Sequence, residues 1–523
     1  MIYRSPFPDV EIPVVSLPTY LFEHTDQWAD KPALIDGPTN RTLTYGQLTT
    51  AVKRTATGLA ARGFSKGDVF AIYSPNIPEY AIAFFGIASA GGVNTTINPT
   101  YTAKELRQQL LDSGATYLVT VPQFLEAARE AIADTGIKEI FVFGEAEGAT
   151  PFAELMIAGE PPQIEIDPKE DLVALPYSSG TTGLSKGVML THYNIVANLS
   201  QILGVEATAK TEVLMGILPF YHIYGMTAVM CNALRAGATV VTMPRFELEQ
   251  FLDLIQKHKI TTAYLVPPLV LALAKHPVVD RYDLSTLDDI MSGAAPLPES
   301  VATTCATRNN VVVRQAYGLT ETSPATHINP KAREIKVASV GTALPNTEYR
   351  IVDLSTLTDA TQGDLGEVWI RGPQVMKGYL NNPSATEDMI DDENWLHSGD
   401  IGKADDDGYL YVVDRVKELI KYKGLQVAPA ELEGIIQSHP AVADVAVIPS
   451  PDEEAGEIPK AFVVVKPDAT LTADEVIAYV AERVSPQKKV RKVEFIDVIP
   501  KVPSGKILRR QLVERERQSI SSQ

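Results

Sequence analysis

The sequence predicts an α/β protein, with a large N-terminal domain of helix-covered sheets and a small α+β C-terminal domain. Three observations support this fold class. Through most of the 523 residues, segments with apolar residues at helical spacing alternate with short apolar strands, as in parallel sheets covered by helices. The last fifth of the chain mixes helical and strand patterns without that alternation. The balance of charge also changes there, which indicates a second folding unit.

The elements of the N-terminal domain follow one another in a regular order. The segment "LTYGQLTTAVKRTATGLAARG" has helical spacing and ends at Gly63, a residue type that commonly ends helices. The segments "DVFAIYSPN" and "GVNTTINP" are predicted strands, and "PEYAIAFFGIASAGG" between them is a predicted helix. The same unit recurs in "KELRQQLLDSG" with "ATYLVTV", "AVMCNALRAG" with "ATVVTM", and "LEQFLDLIQKHK" with "ITTAYLVPP". We therefore expect parallel strands joined by helices over this part of the chain.

The C-terminal domain is distinguished by its charge. Residues 415–523 contain 17 Lys and Arg against 16 Asp and Glu, a net charge of +1. Residues 1–414 contain 29 against 49, a net charge of −20. We therefore place the boundary after Asp414, which gives domains of residues 1–414 and 415–523. Within the small domain, "PAELEGIIQSHP" and "TADEVIAYVAERV" are predicted helices, and "VADVAVIPS", "KAFVVVK" and "KVEFID" are predicted strands.

Composition excludes several classes of function. The net charge of −19 argues against a nucleic-acid or anionic-membrane partner, because phosphate groups attract basic surfaces. No apolar run is long enough to span a bilayer, so we expect no integral membrane contact. Cys231 and Cys305 are far apart and lack the spacing of a zinc site. The N-terminus lacks an apolar signal core and "SISSQ" is not a peroxisomal tripeptide, so we expect a cytoplasmic protein. The sequence does not indicate an oligomeric state.

The segment "YSSGTTGLSKGVMLTH", residues 177–192, is rich in glycines and hydroxyl groups around Lys186. It lies between a strand-like segment and a helical one, so we expect backbone N–H groups and the positive end of a helix to face an anion. A polar surface loop is the alternative interpretation. The spacing is not that of a Walker A loop, because Ser185 stands where the second glycine belongs and Gly187 follows Lys186.

Together with seven further blocks, this loop resembles the adenylate-forming superfamily of acyl-CoA synthetases, peptide-synthetase adenylation domains and beetle luciferases. The further blocks, in chain order, are "LPFYHIYG" (218–225), "MSGAAPL" (291–297), "QAYGLTET" (315–322), "GEVWIRGPQVMKGYL" (366–380), "WLHSGD" (395–400), "DRVKELIKYKGLQVAPAELE" (414–433) and "PKVPSGKILRRQL" (500–512). The resemblance covers nearly the whole chain and is closest to 4-coumarate:CoA ligases.

The resemblance implies an ATP-dependent carboxylic acid:CoA ligase of the AMP-forming type. The acid would first form an acyl-adenylate with release of pyrophosphate, and the thiol of coenzyme A, a co-substrate, would then displace AMP. ATP, Mg²⁺ and a small-molecule carboxylic acid are the other implied ligands. The small domain would be mobile, because it closes over the site for the first step and turns for the second.

The resemblance also implies a set of nucleotide-binding residues. The phosphate loop would consist of Ser178, Ser179, Gly180, Thr181, Thr182, Gly183 and Lys186. The adenine would be framed by Gln315, Ala316, Tyr317 and Gly318, with the backbone of residues 293–295. Thr320 would contact the α-phosphate, Glu321 would hold Mg²⁺, and Asp400 would bind the ribose hydroxyls beside Arg415.

Further residues are implied to act in the two reaction steps. Lys506 in "PSGKI" would lie between the acid and the α-phosphate, although a solvated lysine in a basic segment is the plain alternative. Lys421 would replace it after the small domain turns on its hinge at Lys417. The thiol of CoA would approach past Gly424 and Gln426. His222 would orient the carboxylate and not act as a base, because adenylation removes no proton.

The acyl pocket carries the least specific signals. By resemblance it is lined by Tyr224, Ala228, Met291, Ala294, Gly318, Pro324 and Ala325. Plant 4-coumarate ligases typically have a serine in place of Ala228 and a lysine in place of Met291, and both departures remove polar groups. One hypothesis is therefore a pocket that accepts cinnamate-like and medium-chain fatty acids as well as 4-coumarate.

Several functions are compatible with these blocks. The first is a ligase for 4-coumarate or other hydroxycinnamates, and the alternative is a medium- or long-chain fatty acyl-CoA synthetase. A luciferase or a stand-alone adenylation domain fits less well, because no peroxisomal tail or carrier domain follows. A non-catalytic nucleotide- or acyl-binding relative would be expected to lack Lys506, Glu321 or the loop glycines, all of which are present.

Overall fold

The computed structural model describes residues 1–178, 185–206, 208–423, 425–452, 454–467, 469–501 and 505–521. For residues 425, 426, 487, 520 and 521 it describes the backbone alone. The predicted phosphate-loop residues Ser179, Gly180, Thr181, Thr182 and Gly183, and the predicted tunnel residue Gly424, lie outside the described residues.

The largest sheet spans the middle of the chain. Among the described residues it has fourteen strands, in the order Tyr3–Arg4, Glu348–Val352, Gly366–Arg371, Leu396–Ala404, Tyr409–Arg415, Gly341–Ala343, Ala325–Ile328, Val312–Gly318, Asp289–Ser292, Thr262–Leu265, Val213–Gly216, Thr239–Thr242, Pro32–Asp36 and Thr42–Thr44. The strands from Val312–Gly318 to Pro32–Asp36 are parallel, and the remaining pairs are antiparallel. The parallel part corresponds to the predicted helix-and-strand units.

A second sheet lies beside the first. In the described ranges its strands run in the order Tyr177–Ser178, Lys186–Thr191, Leu172–Ala174, Val93–Ile97, Val69–Tyr73, Tyr117–Thr120, Glu139–Val142 and Thr150–Pro151. The short strand Gly378–Tyr379 pairs with the edge of Lys186–Thr191. The helix Pro78–Ser89 contacts strands of both sheets and is buried nearly all round. This burial explains why its sequence is almost entirely apolar.

The small domain has its own sheet and its own apolar core. Its strands run in the order Leu425–Val427, Ile420–Tyr422, Gly456–Val465 and Val442–Asp452, with Lys492–Phe495 beside Gly456–Val465. Buried aliphatic side chains from this sheet and from its helices pack together as a separate cluster. A domain with its own core can move as a unit, as the sequence predicts for this part of the chain.

Helices cover the sheets and join the parallel strands. The α-helices of the described residues are Leu17–Phe22, Tyr45–Ala61, Pro78–Ser89, Ala103–Ser113, Leu125–Ala131, His192–Val205, Asn232–Ala236, Leu248–His258, Pro267–Lys275, Glu299–Asn309, Pro383–Met389, Pro429–Gln437, Ala473–Ala481 and Arg509–Ser521. Tyr224–Cys231 is a π-helix. Capping boxes begin several of them, for example at Thr44, where the hydroxyl accepts from the backbone of Gln47 and the Gln47 side chain accepts in return.

The local environment of the phosphate loop differs from the prediction. The segment after the loop is a strand, Lys186–Thr191, which pairs antiparallel with Tyr177–Ser178 to form a hairpin. The helix begins at His192, as predicted, but it follows this strand and not the loop, and its first turn is capped by Thr191 and Asn194. The prediction that a helix end points at the anion is therefore wrong. The apolar run "VML" forms the strand because it packs into the second sheet.

The parallel strands place the site. At their carboxyl ends lie the segments 217–225, 293–297 and 319–324, which follow Val213–Gly216, Asp289–Ser292 and Val312–Gly318. Ligands of open α/β sheets bind in the crevice at this edge. The small domain covers the same edge, so residues from distant parts of the chain meet there.

Candidate active site

One cavity of about 730 Å³ brings together residues of both domains. The predicted site residues that line it are Ser178, Lys186, His222, Tyr224, Ala228, Met291, Ala294, Ala316, Tyr317, Gly318, Thr320, Glu321, Pro324, Ala325, Arg415, Lys417 and Lys506. Lys421 is exposed on the strand Ile420–Tyr422 and Asp400 lies just behind the wall. The side chain of Gln426 lies outside what the structure describes.

The predicted ribose site is built from two neighbouring strands. Asp400 and Arg415 are register partners, and the Arg415 Nε lies 3.0 Å from the Asp400 Oδ1. The Tyr317 hydroxyl donates to the other carboxylate oxygen over 2.7 Å. Burial raises the pKa of the Asp400 carboxyl, and the Arg415 guanidinium opposes that rise. The pair holds a cation at the cavity wall and a fixed acceptor just behind it, which suits a diol next to a phosphate.

Gln315 takes a different position from the one expected. Its side-chain amide bonds the backbone of Leu297 and donates to the Val337 carbonyl over 2.7 Å. It is buried behind the segment 293–297 and supports that segment from outside the cavity. Ala294, in the same segment, adopts φ of +69°, a strained conformation for a residue with a side chain. The frame of the predicted adenine site is therefore largely backbone.

Gly318 lies where the chain turns back on itself. A Cβ atom at this position would lie 1.9 Å from the Pro324 carbonyl oxygen, so no larger residue fits. The close approach lets Leu319 donate its backbone N–H to the same carbonyl. This turn positions the short 3₁₀ helix Thr320–Thr322, which carries Glu321.

Glu321 is held by a residue that the sequence did not single out. The Tyr379 hydroxyl donates to the Glu321 Oε1 over 2.7 Å, and the Lys186 ammonium lies 4.8 Å from the centre of the Tyr379 ring. The backbone N–H of Met376 also donates to the Glu321 carbonyl. The segment 376–380 thus connects the carboxylate with the phosphate-loop strand, to which Gly378–Tyr379 is paired. Tyr379 lies in the quoted block "GEVWIRGPQVMKGYL", but nothing in the pattern distinguishes it from its neighbours.

His222 carries a neutral imidazole in this geometry. Burial lowers the pKa of its imidazole to about 4, so the ring is uncharged at neutral pH. Its Nδ1 accepts the backbone N–H of Tyr224 over 3.2 Å, which leaves the proton on Nε2. The ring can therefore donate one hydrogen bond into the cavity, as expected of a group that orients a carboxylate.

Lys506 reaches the cavity from the small domain. Burial lowers the pKa of its ammonium, and the neighbouring Arg415 guanidinium lowers it further, while Glu418 and Asp400 oppose the change. Lys417 lies nearby in the 3₁₀ helix Val416–Glu418, directly after the last strand of the large sheet. Just before it, the carboxylate of Asp414 accepts the backbone N–H groups of Arg415 and Ala430. The predicted hinge is therefore also the covalent link between the sheets of the two domains.

The acyl part of the cavity is lined by apolar and polar groups together. Met291 and Ala228 face it, as expected, and the Tyr224 hydroxyl donates to the Met291 carbonyl over 3.0 Å. Glu206 and Tyr264 also line it, and the sequence indicated neither. Glu206 is joined to Arg314 across 108 positions of the chain, a contact that no local pattern encodes.

Two family models match this chain. The model described as AMP-binding enzyme matches residues 21–380, and the model described as AMP-binding enzyme C-terminal domain matches residues 431–506. The chain belongs to the AMP-binding enzyme family. For this AMP-binding enzyme the α/β fold with a small α+β domain is confirmed, and so is the resemblance on which the site was predicted.

Relatives of this AMP-binding enzyme match it along its whole length. The chain is 44% identical to 4-coumarate–CoA ligase 2 of Petroselinum crispum, over 98% of this chain and 96% of that protein. It is 43% identical to 4-coumarate–CoA ligase 1 of Solanum tuberosum, over 100% and 98%.

Solved structures show the same architecture. ATP-bound MatB from Rhodopseudomonas palustris has a TM-score of 0.88 and 29% identity, covering 96% of this chain and 98% of that one. The anthranilate CoA ligase AuaEII in complex with anthranoyl-AMP has a TM-score of 0.90 and 25% identity, covering 98% and 99%. Within the described residues, no helix of this AMP-binding enzyme combines the length and apolar composition needed to cross a membrane.

Proposed function

We propose that this AMP-binding enzyme joins hydroxycinnamate-type acids such as 4-coumarate to coenzyme A at the expense of ATP. It is an AMP-forming acid:CoA ligase. The observation that carries the proposal is the convergence of Lys506, Arg415 and Glu321 on one cavity that continues past His222 into a pocket for an acid. The full-length relatives named as 4-coumarate–CoA ligases support the choice of acid.

In the first step, the chain positions two anions that repel each other. Lys186 and the phosphate loop would hold the β- and γ-phosphates, and Asp400 with Arg415 would hold the ribose. His222 would donate from Nε2 to the acid and leave its other oxygen aimed at the α-phosphorus. Lys506 would neutralise the charge shared by these groups in the transition state. Positioning and charge neutralisation of this kind account for most of the catalysis in phosphoryl-type reactions.

Glu321 fits the metal ion that the family uses. The residue is 6% exposed, and Oε1 accepts from Tyr379 while Oε2 accepts from no protein donor among the described residues. A single carboxylate oxygen suits Mg²⁺, which binds through one or two carboxylates together with substrate phosphates. The described residues contain no group of three or more candidate ligands that could hold a metal alone. When bound, Mg²⁺ would neutralise charge on the triphosphate.

Replacing Tyr379 by phenylalanine tests this arrangement. We expect the Mg²⁺ concentration for half-maximal adenylation to rise about tenfold, because partners that orient metal-binding carboxylates contribute effects of this size. Thioester formation from supplied acyl-adenylate should not change. Tyr45→Phe is the matched control, since its buried hydroxyl bonds the Ala238 carbonyl away from the cavity. An unchanged Mg²⁺ dependence in Tyr379→Phe would contradict the role of Tyr379.

In the second step, the thiol of coenzyme A must reach the adenylate. The described arrangement has Lys506 at the cavity and Lys421 exposed on the small domain, which fits the first step. The small domain would turn about Lys417 and bring the strand Ile420–Tyr422 to the site, with Gly424 and Gln426 beside the entering thiol. A thiol has a pKa near ~8.5 in water, so its ionisation does not require a strong base.

The cytoplasmic location stays a prediction.

The test is carboxylate-dependent release of pyrophosphate from ATP and Mg²⁺. The acids are 4-coumarate, cinnamate, caffeate, octanoate and palmitate, each with and without CoA. We expect release with the phenylpropanoids, faster when CoA is present. Release with octanoate or palmitate alone would instead establish the second candidate, a fatty acyl-CoA synthetase, which the apolar faces of Ala228 and Met291 favour. No release with any acid would overturn the proposal.

A further inference from the structure

The acyl pocket ends in a buried group of charges. Arg314 donates from Nε to Asp289 Oδ1 over 2.9 Å, from Nη2 to Asp289 Oδ2 over 2.6 Å, and from Nη2 to Glu206 Oε2 over 2.7 Å. Its Nη1 bonds the Asn329 carbonyl and Glu206 Oε1. The Lys331 backbone N–H also donates to Glu206 Oε1. Arg314 and Asp289 are almost fully buried, whereas the Glu206 side chain is 19% exposed and lines the cavity.

The strand register places this group at the end of the pocket that is farthest from the nucleotide. Met291 is paired with Arg314, and both lie on the parallel strands whose carboxyl ends face ATP. Asp289 and Arg314 are each two residues before a cavity-lining residue, Met291 and Ala316, and therefore share a face with it. Each is about 7 Å nearer the amino end of its strand, since a strand rises about 3.3 Å per residue.

Glu206 lines the cavity and its carboxylate retains unused acceptor capacity. A carboxylate has about four lone-pair positions. Oε1 accepts from both Arg314 and Lys331, while Oε2 accepts from Arg314 alone among the described residues. A buried ion pair adds little to the stability of a fold, because the cost of desolvating the charges offsets their attraction. Stability alone therefore does not account for Glu206. Glu206 also follows the helix His192–Val205, and an anion at the carboxyl end of a helix is unfavourable.

We propose that Glu206 accepts a hydrogen bond from a hydroxyl group at the distal end of the acid. This inference rests on the proposed function and deepens it, because it names the feature by which the acid is selected. A phenol at the far end of a cinnamate skeleton would donate this hydrogen bond to the Glu206 carboxylate. The terminal methyl of a fatty acid would desolvate it without a compensating bond. The pocket is therefore selective despite the apolar residues at positions 228 and 291, and the broad tolerance predicted from them is replaced by a preference for 4-hydroxylated acids.

The experiment compares kcat/KM for 4-coumarate and for cinnamate in the full-length enzyme and in Glu206→Met. We expect the wild type to have a higher kcat/KM for 4-coumarate than for cinnamate. In the variant this ratio should fall at least tenfold, mainly because kcat/KM for 4-coumarate falls. Asp289→Asn is the matched control, because it alters the same charge group without a side chain at the cavity wall. For Asp289→Asn, the ratio of kcat/KM for 4-coumarate to that for cinnamate should stay within about twofold of the wild-type ratio.

The outcomes separate this inference from the proposed function. An unchanged ratio in folded Glu206→Met would overturn the role of Glu206, and so would a wild type that uses both acids equally well. If Glu206→Met does not fold, Glu206→Gln preserves the volume. With the amide oxygen at the Oε1 position, which accepts from Arg314 and Lys331, the amide N–H₂ would replace the Oε2 acceptor, so a phenol could no longer donate to it. The ratio should still fall at least threefold, and an unchanged ratio overturns the inference. Absence of pyrophosphate release with every acid in the wild type would overturn the ligase proposal itself.

Discussion

Replacing Lys506 by alanine is expected to lower the rate of acyl-adenylate formation about 10²- to 10³-fold, the range measured for removal of one electrostatic donor from an active site. Lys506 is a residue of the small domain that lines the cavity, and its ammonium lies near Arg415 and Asp400. In the proposed mechanism its charge acts where the acid and the α-phosphate meet, and water cannot replace it in a closed site. Release of pyrophosphate with 4-coumarate, in the absence of CoA, measures this step.

The control for Lys506→Ala is Lys501→Ala. Lys501 lies in the same basic segment, but its ammonium is paired with Asp444 over 2.7 Å inside the small domain. The control should retain adenylation. Lys506→Ala should also convert supplied coumaroyl-adenylate and CoA to the thioester at nearly the normal rate. Equal loss in both half-reactions would show that Lys506 supports the fold or the domain interface and not the adenylation step.

Replacing Lys421 by alanine is expected to have the opposite pattern, with thioester formation lowered about 10- to 100-fold and adenylation retained. In the described arrangement Lys421 is exposed and does not line the cavity, so its removal cannot affect the first step directly. In the proposed mechanism Lys421 acts once the small domain has turned. Effects of this size are typical of residues that position a reacting group.

Single-turnover thioester formation from supplied adenylate measures this second step. Lys423→Ala is the matched control, because Lys423 is also exposed on the small domain and pairs with Glu454. A loss of adenylation in Lys421→Ala, or normal thioester formation, would contradict the turning of the small domain about Lys417.

Much of the fold could be predicted from periodicity. The helices Tyr45–Ala61 and Leu248–His258 and the strands Val69–Tyr73 and Thr262–Leu265 lie where the apolar spacing indicated them. Local patterns carry this information because these elements bury one face or both. The π-helix Tyr224–Cys231 was not predicted, since its hydrogen-bond pattern is set by packing and not by spacing.

Some residues of the site could be predicted from local motifs, and others could not, because their positions depend on contacts between distant parts of the chain. Lys506, Glu321 and Arg415 lie in quoted motifs, and the structure brings them together at one cavity. Tyr379 and Glu206 depend on contacts with residues far away in the sequence, namely Glu321 and Arg314. The role of the loop helix was wrong because the strand Lys186–Thr191, fixed by pairing with Leu172–Ala174, separates the loop from the helix that begins at His192. A single sequence contains no record of such pairings.

The depth at which each residue lies along the parallel strands has a consequence for how such enzymes can diversify. The groups proposed for ATP lie at the strand tips and on the small domain, while Met291, Arg314 and Glu206 lie deeper or at a helix end. The two sets share a scaffold but few side chains. Exchange of the deep residues can therefore change which acid fits while the groups proposed for ATP stay in place.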